Sequence, residues 1–183
     1  WPDRRAALVQ AGARLVFAGR LEDRRYDTAE RTLMARDIVL RLRIYRDAGG
    51  VRATLEYKGP TGYDRGYKVR DEIGSTVSNP DAIVGMLDGL GYSVLRGIDR
   101  DIEQFEIAGT TVRFERYPRM DDLVEVEGEP GAIERAIALL GMPREAFTSE
   151  RLPDFAARFE ARTGARAALC DADLTVASST LGA

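Results

Sequence analysis

The chain has 183 residues, of which 44% are hydrophobic and 31% charged, with a formal net charge of −3. It contains no His and a single Cys, which excludes His-based acid–base catalysis, His-ligated zinc and an intrachain disulfide. The near-balance of 27 basic and 30 acidic residues argues against a nucleic-acid-binding protein. Any metal ion must therefore be held by oxygen ligands, which suits Mg²⁺, Mn²⁺ or Ca²⁺.

The predicted elements alternate between short helices and strands. Asn79 and Pro80 mark the start of one helix, and Asp47-Ala48-Gly49-Gly50 is typical of a hairpin turn. Periodicity and breaker residues predict helices at 3–11, 80–90, 130–140 and 149–162. They predict strands at 14–26, 38–46, 51–58, 66–74, 92–96, 98–107, 110–117 and 122–128, with an irregular segment at 27–37.

Four of these strands carry apolar residues on one face and charged residues on the other, and together these charged faces contain both signs. Side chains of a strand alternate between its two faces, so the charges of each strand share a face. The charged positions are Arg41 and Arg43; Glu56 and Lys58; Lys68, Arg70 and Glu72; and Glu125 and Glu127. If these faces converged on a shared interior, their Arg and Lys side chains could bind a polyanion and their Glu side chains could bind divalent cations. The alternative is a set of solvated faces or salt-bridged strands.

The pattern predicts an α+β fold with an antiparallel β-barrel of about eight strands flanked by helices. Closing the sheet would remove its edges, and the helices would cover its apolar outer face. We expect one domain over residues 1–164 and a weakly structured tail over 165–183. The chain has no apolar run of about 18 residues and no secretory signal, so we expect a cytoplasmic protein that does not span a membrane.

Six short motifs occur in an order that resembles the CYTH family, the triphosphate tunnel metalloenzymes. They are Arg25-Tyr26-Asp27-Thr28, Leu40-Arg41-Leu42-Arg43, Glu56-Tyr57-Lys58-Gly59-Pro60, Lys68-Val69-Arg70-Asp71-Glu72-Ile73, Leu90-Gly91-Tyr92 and Leu123-Val124-Glu125-Val126-Glu127-Gly128. The resemblance covers roughly residues 8–140. It implies a charged tunnel that binds a small-molecule triphosphate with Mg²⁺ or Mn²⁺, and, as the family is often dimeric, a homodimer.

The resemblance also implies roles for individual side chains. The substrate-binding set is Arg41, Arg43, Lys58, Lys68, Arg70, Arg100 and Arg113. Glu115 stands where the family commonly has an Asp near the metal. Glu125 and Glu127 are adjacent like charges, which need a cation or an Arg partner to be stable side by side. We therefore predict Glu115, Glu125 and Glu127 as metal ligands, and Glu72 and Glu115 as catalytic residues. Arg24 and Arg25 are expected to be solvated.

Three departures from the family pattern bear on activity. The N-terminal ExExK motif is absent from this sequence, the last carboxylate of one motif is replaced by Gly74, and the late Lys-x-Arg pair is reduced to Arg100 followed by Ile102. Because most of the other motif residues remain, we expect the ExExK motif to lie upstream of Trp1 rather than to have been lost.

Three functions are compatible with these motifs. The first is metal-dependent hydrolysis of tripolyphosphate, a nucleoside triphosphate or thiamine triphosphate. The second is a class IV adenylate cyclase, in which the ribose 3′-hydroxyl of ATP attacks the α-phosphorus. The third is a non-catalytic triphosphate-binding module, which the missing ExExK motif and Gly74 favour.

Overall fold

A computed structural model describes residues 1–176 of the chain. The helices are α1 Pro2–Gln10, α2 Thr32–Ala35, α3 Pro80–Gly89, α4 Pro130–Leu140, α5 Leu152–Thr163 and α6 Ala172–Val176, with a 3₁₀ turn at Arg144–Ala146. The strands are β1 Arg14–Asp27, β2 Val39–Asp47, β3 Gly50–Lys58, β4 Gly62–Asp64, β5 Tyr67–Val69, β6 Glu72–Val77, β7 Ser93–Ile107, β8 Thr110–Arg116 and β9 Leu123–Glu127. None of the helices in this part of the chain has the length and apolar character needed to cross a membrane.

The predicted α+β class with a large antiparallel sheet is confirmed. Seven strands form the main sheet in the order β6-β3-β2-β1-β7-β8-β9, and β4 pairs with β5 in a separate small sheet. The expectation of a closed barrel of about eight strands needs correction. Within residues 1–176, hydrogen bonds leave β6 and β9 as the two ends of the strand order rather than joining them.

Two predicted strand boundaries were wrong. The strand expected at 66–74 is interrupted at Arg70 and Asp71, so β5 and β6 belong to different sheets. The interruption is fixed by Gly59, whose N–H donates to the carbonyl of Asp71 and whose carbonyl accepts from Arg70. The strands expected at 92–96 and 98–107 are one strand, β7, because Gly97 continues the extended backbone.

The chain divides into two compact units. The first unit contains Trp1–Gly19 and the described residues from Asp101 onward, and the second contains Arg20–Arg100. In the first unit, Leu8 of α1 and Leu140 of α4 pack with Phe105 and Phe114 of β7 and β8. In the second unit, Leu87 of α3 packs with Tyr26, Leu42 and Ala53 of β1, β2 and β3. Helices thus cover the apolar face of the strands in each unit, as the sequence pattern predicts.

The beginning of the predicted tail has defined contacts. Arg119 and Ala168 exchange two backbone hydrogen bonds of 3.1 and 2.8 Å, and Ala167, Ala168 and Leu169 are buried. The carboxylate of Asp173 accepts from the backbone N–H groups of Leu169 and Cys170. Residues 177–183 of the tail lie outside the described part of the chain, and the predicted single domain over 1–164 stays a prediction.

Candidate functional site

Three adjacent strands of the second unit place charged residues directly opposite one another. In the antiparallel register, Asp23 of β1 lies opposite Arg43 of β2, and Arg25 lies opposite Arg41. Arg41 in turn lies opposite Glu56 of β3. Because these positions are two residues apart on each strand, their side chains share one face. On β2 and β3, the neighbouring apolar residues Leu42 and Leu55 pack with Leu87 of α3 on the other face.

Asp23 is the centre of this face, and three guanidinium groups donate to its carboxylate. Arg43 binds both oxygens, with Nε to Oδ1 at 2.7 Å and Nη2 to Oδ2 at 3.0 Å. Nη1 of Arg41 and Nη1 of Arg100 both reach Oδ2, at 3.2 and 3.1 Å. Burial by itself would raise the pKa of Asp23, but Arg43, Arg41 and Arg100 outweigh it and hold that pKa well below its usual value. Asp23 is therefore a buried carboxylate that stays ionised.

Glu56 is the second carboxylate of this face. Its Oε2 accepts from Nε of Arg41 at 3.1 Å and also from Nη2 of Arg41, and its Oε1 accepts from Thr54 at 2.8 Å. Burial would raise the pKa of Glu56, while the charges of Arg41 and Arg43 and these hydrogen bonds lower it. Glu56 therefore holds Arg41 in place as an anion and is a poor candidate for accepting a proton at neutral pH.

Arg25 differs from the other arginines on this face. Its Nε is buried and has no hydrogen-bond partner among residues 1–176. Burial lowers the pKa of Arg25 to about 10, and the neighbouring charge of Arg41 contributes to this shift while Asp23 opposes it. The side chain is still positively charged at neutral pH. Arg25 is thus a cationic group with an unused donor, which an anionic ligand could satisfy.

We call this group the arginine cluster: Asp23, Arg25, Arg41, Arg43, Glu56 and Arg100. The cluster contains four guanidinium groups and two carboxylates, so its cations outnumber its anions. The charge of Arg96, on β7, also bears on Arg25 and lowers its pKa. Arg41, Arg43 and Arg100 were all predicted to bind substrate, and the structure brings the three together around Asp23.

The other predicted residues of the second unit lie in a different setting. Lys58 of β3 forms an ion pair with Glu72 of β6, which is the residue opposite it in the sheet. Arg70 donates from Nε to the carbonyl of Gly59 at 2.6 Å and from Nη2 to the carbonyl of Asp37. Lys68 lies on the small sheet formed by β4 and β5. Their predicted roles, phosphate binding for Lys58, Lys68 and Arg70 and catalysis for Glu72, stay predictions.

The first unit contains a second charged group, which we call the Arg113 cluster: Arg113, Glu115, Glu125 and Glu127. Arg113 of β8 lies opposite Glu125 of β9, with Glu115 two residues along its own strand. Arg113 forms ion pairs with all three carboxylates, at 3.7 Å to Glu115, at 3.6 Å to Glu127 and more closely to Glu125. The hydroxyl of Tyr117 donates to Glu115.

These carboxylates do not fit a divalent metal ion as they are arranged. The guanidinium of Arg113 contacts all three of the carboxylates that would have to hold the metal ion. Among the described residues, no group of three or more Asp, Glu or Cys side chains has a geometry that could hold a metal ion. The roles predicted for Glu115, Glu125 and Glu127 as metal ligands and for Arg113 as a phosphate contact stay predictions, and no catalytic step is assigned to a metal ion.

Two residues of the arginine cluster were not predicted from the sequence as site residues. Asp23 was not singled out, and Arg25 was expected on the surface. The two-residue period of β1 could have indicated that positions 23 and 25 share a face. In the structure, these two residues lie opposite Arg43 and Arg41 of β2. Arg41 and Arg43 lie 16 to 20 positions further along the chain, so the register that pairs β1 with β2 could not be predicted from the sequence of β1 alone.

The family is established by comparison with known proteins. The model of the CYTH domain matches residues 10–138, and the chain belongs to the CYTH family. A search of curated protein sequences gives no match.

Solved structures share the fold at low sequence identity. The PH1819 protein of Pyrococcus horikoshii OT3 is 23% identical with a TM-score of 0.64, over 77% of this chain and 84% of its own. A proposed adenylate cyclase of Vibrio parahaemolyticus is 17% identical with a TM-score of 0.70, over 85% and 91%. HpAC1 of Hippeastrum, a proposed adenylyl cyclase with a dominant triphosphatase activity, is 17% identical with a TM-score of 0.61, over 86% and 91%. These similarities establish the fold.

Proposed function

We propose that this protein binds a small-molecule triphosphate in the arginine cluster and hydrolyses it. The observation that carries the proposal is the gathering of Arg25, Arg41, Arg43 and Arg100 near Asp23 and Glu56, with the buried Nε of Arg25 lacking a hydrogen-bond partner among residues 1–176. Burying guanidinium groups is costly unless anions compensate them. A chain of phosphates supplies several anionic oxygens, and planar guanidinium groups match them in pairs.

Each charged residue of the cluster has a distinct part in this proposal. Arg25 offers the buried donor that has no protein partner, so we assign it a direct phosphate contact. Arg41, Arg43 and Arg100 are held by Asp23 at distances of 2.7 to 3.2 Å, so their positions are fixed before the ligand arrives. Fixed positive charges stabilise a transition state without the cost of reorganising at the moment of reaction.

The reaction follows from these fixed charges. A water oxygen forms a bond to the terminal phosphorus, and the bond from that phosphorus to its bridging oxygen breaks. Negative charge then passes to the departing polyphosphate, where the guanidinium groups offset it, and the proton of the attacking water is released to solvent. The chain has no His, so no imidazole takes part. CYTH membership makes Mg²⁺ or Mn²⁺ the expected cofactor, and the assay therefore includes both.

A second candidate function is triphosphate binding without turnover. The observation that favours it is the Arg113 cluster, in which a guanidinium contacts the three carboxylates expected to hold a metal. Under this candidate the arginine cluster binds the ligand as described, but no phosphate is released.

The test is phosphate release from tripolyphosphate, ATP and thiamine triphosphate by the full-length protein, with Mg²⁺, with Mn²⁺ and with a chelator. Cyclic AMP is measured in parallel. The variants are Arg41→Ala and Arg25→Ala, and the matched control is Arg46→Ala, which removes an exposed arginine of β2 that pairs with Glu22.

Loss of turnover in the first two variants but not in the control supports the hydrolase. Tight binding without turnover supports the second candidate, and cyclic AMP with diphosphate would replace both with a cyclase. No binding of any triphosphate would overturn the proposal.

A further inference from the structure

Arg113 lies in the middle of three carboxylates because of the register of β8 and β9. Glu125 is directly opposite Arg113, and Glu127, which pairs with Thr111, is the diagonal neighbour. Glu115 is two residues further on β8 and therefore on the same face. The side chains of Arg113 and Glu115 are 6% and 5% exposed, so this contact is shielded from water.

The donors of Arg113 are directed to several acceptors at once. Nε donates to the amide oxygen of Gln104 at 3.2 Å, Nη1 donates to Glu125, and Nη2 lies 3.6 Å from Glu127. Gln104 lies opposite Arg113 on β7, so acceptors flank the guanidinium on both neighbouring strands. The hydroxyl of Tyr117 donates to Glu115 and fixes that carboxylate from another side. The guanidinium is thus oriented by contacts from three strands.

We propose that Arg113 is a built-in cation that occupies the carboxylate site and competes with divalent metal ions for it. The inference concerns cation binding in the first unit and holds whether or not the arginine cluster hydrolyses a triphosphate. A guanidinium carries a positive charge at neutral pH, and because Arg113 is part of the chain, no free energy of association is spent in bringing it to the carboxylates. Mg²⁺ and Mn²⁺ would need oxygen ligands arranged around the position that the guanidinium fills.

The proposal predicts that removing the guanidinium creates a metal site. Without Arg113, Glu115, Glu125 and Glu127 would lose the guanidinium that all three contact, and their mutual repulsion would favour binding of a cation. A methionine at position 113 has a similar length, no charge and no ligand that Mn²⁺ prefers. Arg113→Met should therefore bind Mn²⁺ at least about tenfold more tightly than the unmodified protein. Adding Glu127→Gln to this variant should weaken its Mn²⁺ binding by about 10–100-fold.

The experiment measures Mn²⁺ binding by electron paramagnetic resonance and calorimetry, with no triphosphate present. The proteins are the unmodified chain, Arg113→Met, Arg113→Met with Glu127→Gln, and the control Arg116→Met, which removes an exposed arginine from the same strand. A new Mn²⁺ site in Arg113→Met that the double variant loses and the control lacks supports the proposal. Equal Mn²⁺ affinity in Arg113→Met and the unmodified chain overturns it.

A second variant keeps the test decisive if Arg113→Met does not fold, as judged by circular dichroism. Glu127→Gln in the otherwise unmodified chain should leave Mn²⁺ binding unchanged, because the guanidinium rather than a metal occupies the carboxylates. A drop in Mn²⁺ affinity of about tenfold or more in Glu127→Gln would show that Glu127 is a metal ligand while Arg113 is present, and would overturn the proposal.

Discussion

Asp23 determines how the arginine cluster is organised at the level of single residues. One buried carboxylate accepts from Arg41, Arg43 and Arg100, whose charges outweigh burial and hold its pKa below the usual value. Arg25 shows the opposite balance, because burial and Arg41 depress its pKa and its Nε has no partner among the described residues. The same face therefore holds three arginines that bind a shared carboxylate and a fourth, Arg25, whose buried Nε lacks a hydrogen-bond partner among residues 1–176.

Asp23→Asn should destabilise the protein by about 3–5 kcal/mol, because it leaves buried guanidinium groups without their shared anion. The measurement is urea unfolding at pH 7. The pKa of Asp23 is lower in the folded state than its ordinary value of 3.8, so its contribution is complete above that pH and is lost as the pH falls below it. The stability of Asp23→Asn should consequently depend less on pH between about 4 and 2. Identical acid dependence in both proteins would contradict this assignment.

Arg25→Ala should weaken triphosphate binding by about tenfold or more while leaving stability the same or higher. The guanidinium supplies a charge-assisted contact worth about 1.5–3 kcal/mol to an anion, yet in the free protein the burial of its Nε is uncompensated. Calorimetric titration with tripolyphosphate gives the affinity, and thermal unfolding gives the stability. Arg46→Ala, at an exposed ion pair, is the control. Unchanged affinity in Arg25→Ala would remove Arg25 from the site.

At the scale of elements, each unit buries one helix face against the apolar side of its strands. In α4, Ala136, Ile137 and Leu140 are buried and Gly141 ends the helix with a φ of 61°. Leu140 packs in the cluster that includes Leu8 and Phe114. Because the helices cover the apolar faces, the charged side chains of β1, β2 and β3 are kept on the other side of the sheet.

Leu140→Ala should cost about 2–5 kcal/mol of stability, since it removes a side chain that is 2% exposed from a packed cluster. Leu139→Ala is the matched control, because its neighbouring side chain is 38% exposed and should cost far less. Chemical denaturation of both variants makes the comparison. Equal losses would mean that α4 does not pack as the structure shows.

At the scale of the whole molecule, ligand affinity must come from local charge, because the net charge of −3 would repel a polyanion. Binding to the folded state alone raises the free energy of unfolding by mass action. A ligand that is bound through buried groups should therefore stabilise the protein even though the whole chain is acidic.

Tripolyphosphate at about 100 times its dissociation constant should raise the free energy of unfolding by about 2.7 kcal/mol. Arg41→Ala should lose most of this gain at the same ligand concentration, because Arg41 links Asp23 and Glu56 in the arginine cluster. Thermal unfolding with and without ligand measures both. An equal gain in Arg41→Ala would place the ligand elsewhere.

Local patterns in the sequence were sufficient for several features. The alternation in β2 placed Arg41 and Arg43 on one face and Leu42 on the other, and the turn at Asp47–Gly50 forms the predicted hairpin. The predicted bounds of α4, 130–140, are those observed. These features depend on residues that are neighbours in the chain, whose geometry is set by the periods of helix and strand.

The sequence by itself determined the family, the antiparallel α+β class and the face that Arg41 and Arg43 share on β2. Only the tertiary structure decided which charges meet: Asp23 with Arg43 and Arg100, Arg25 with no partner for its Nε among residues 1–176, and Arg113 among three glutamates. The physical reason is that a strand's period is a local property, whereas its partners depend on the register between strands that are distant in sequence. Whether a carboxylate meets a guanidinium or a metal ion is decided by that register.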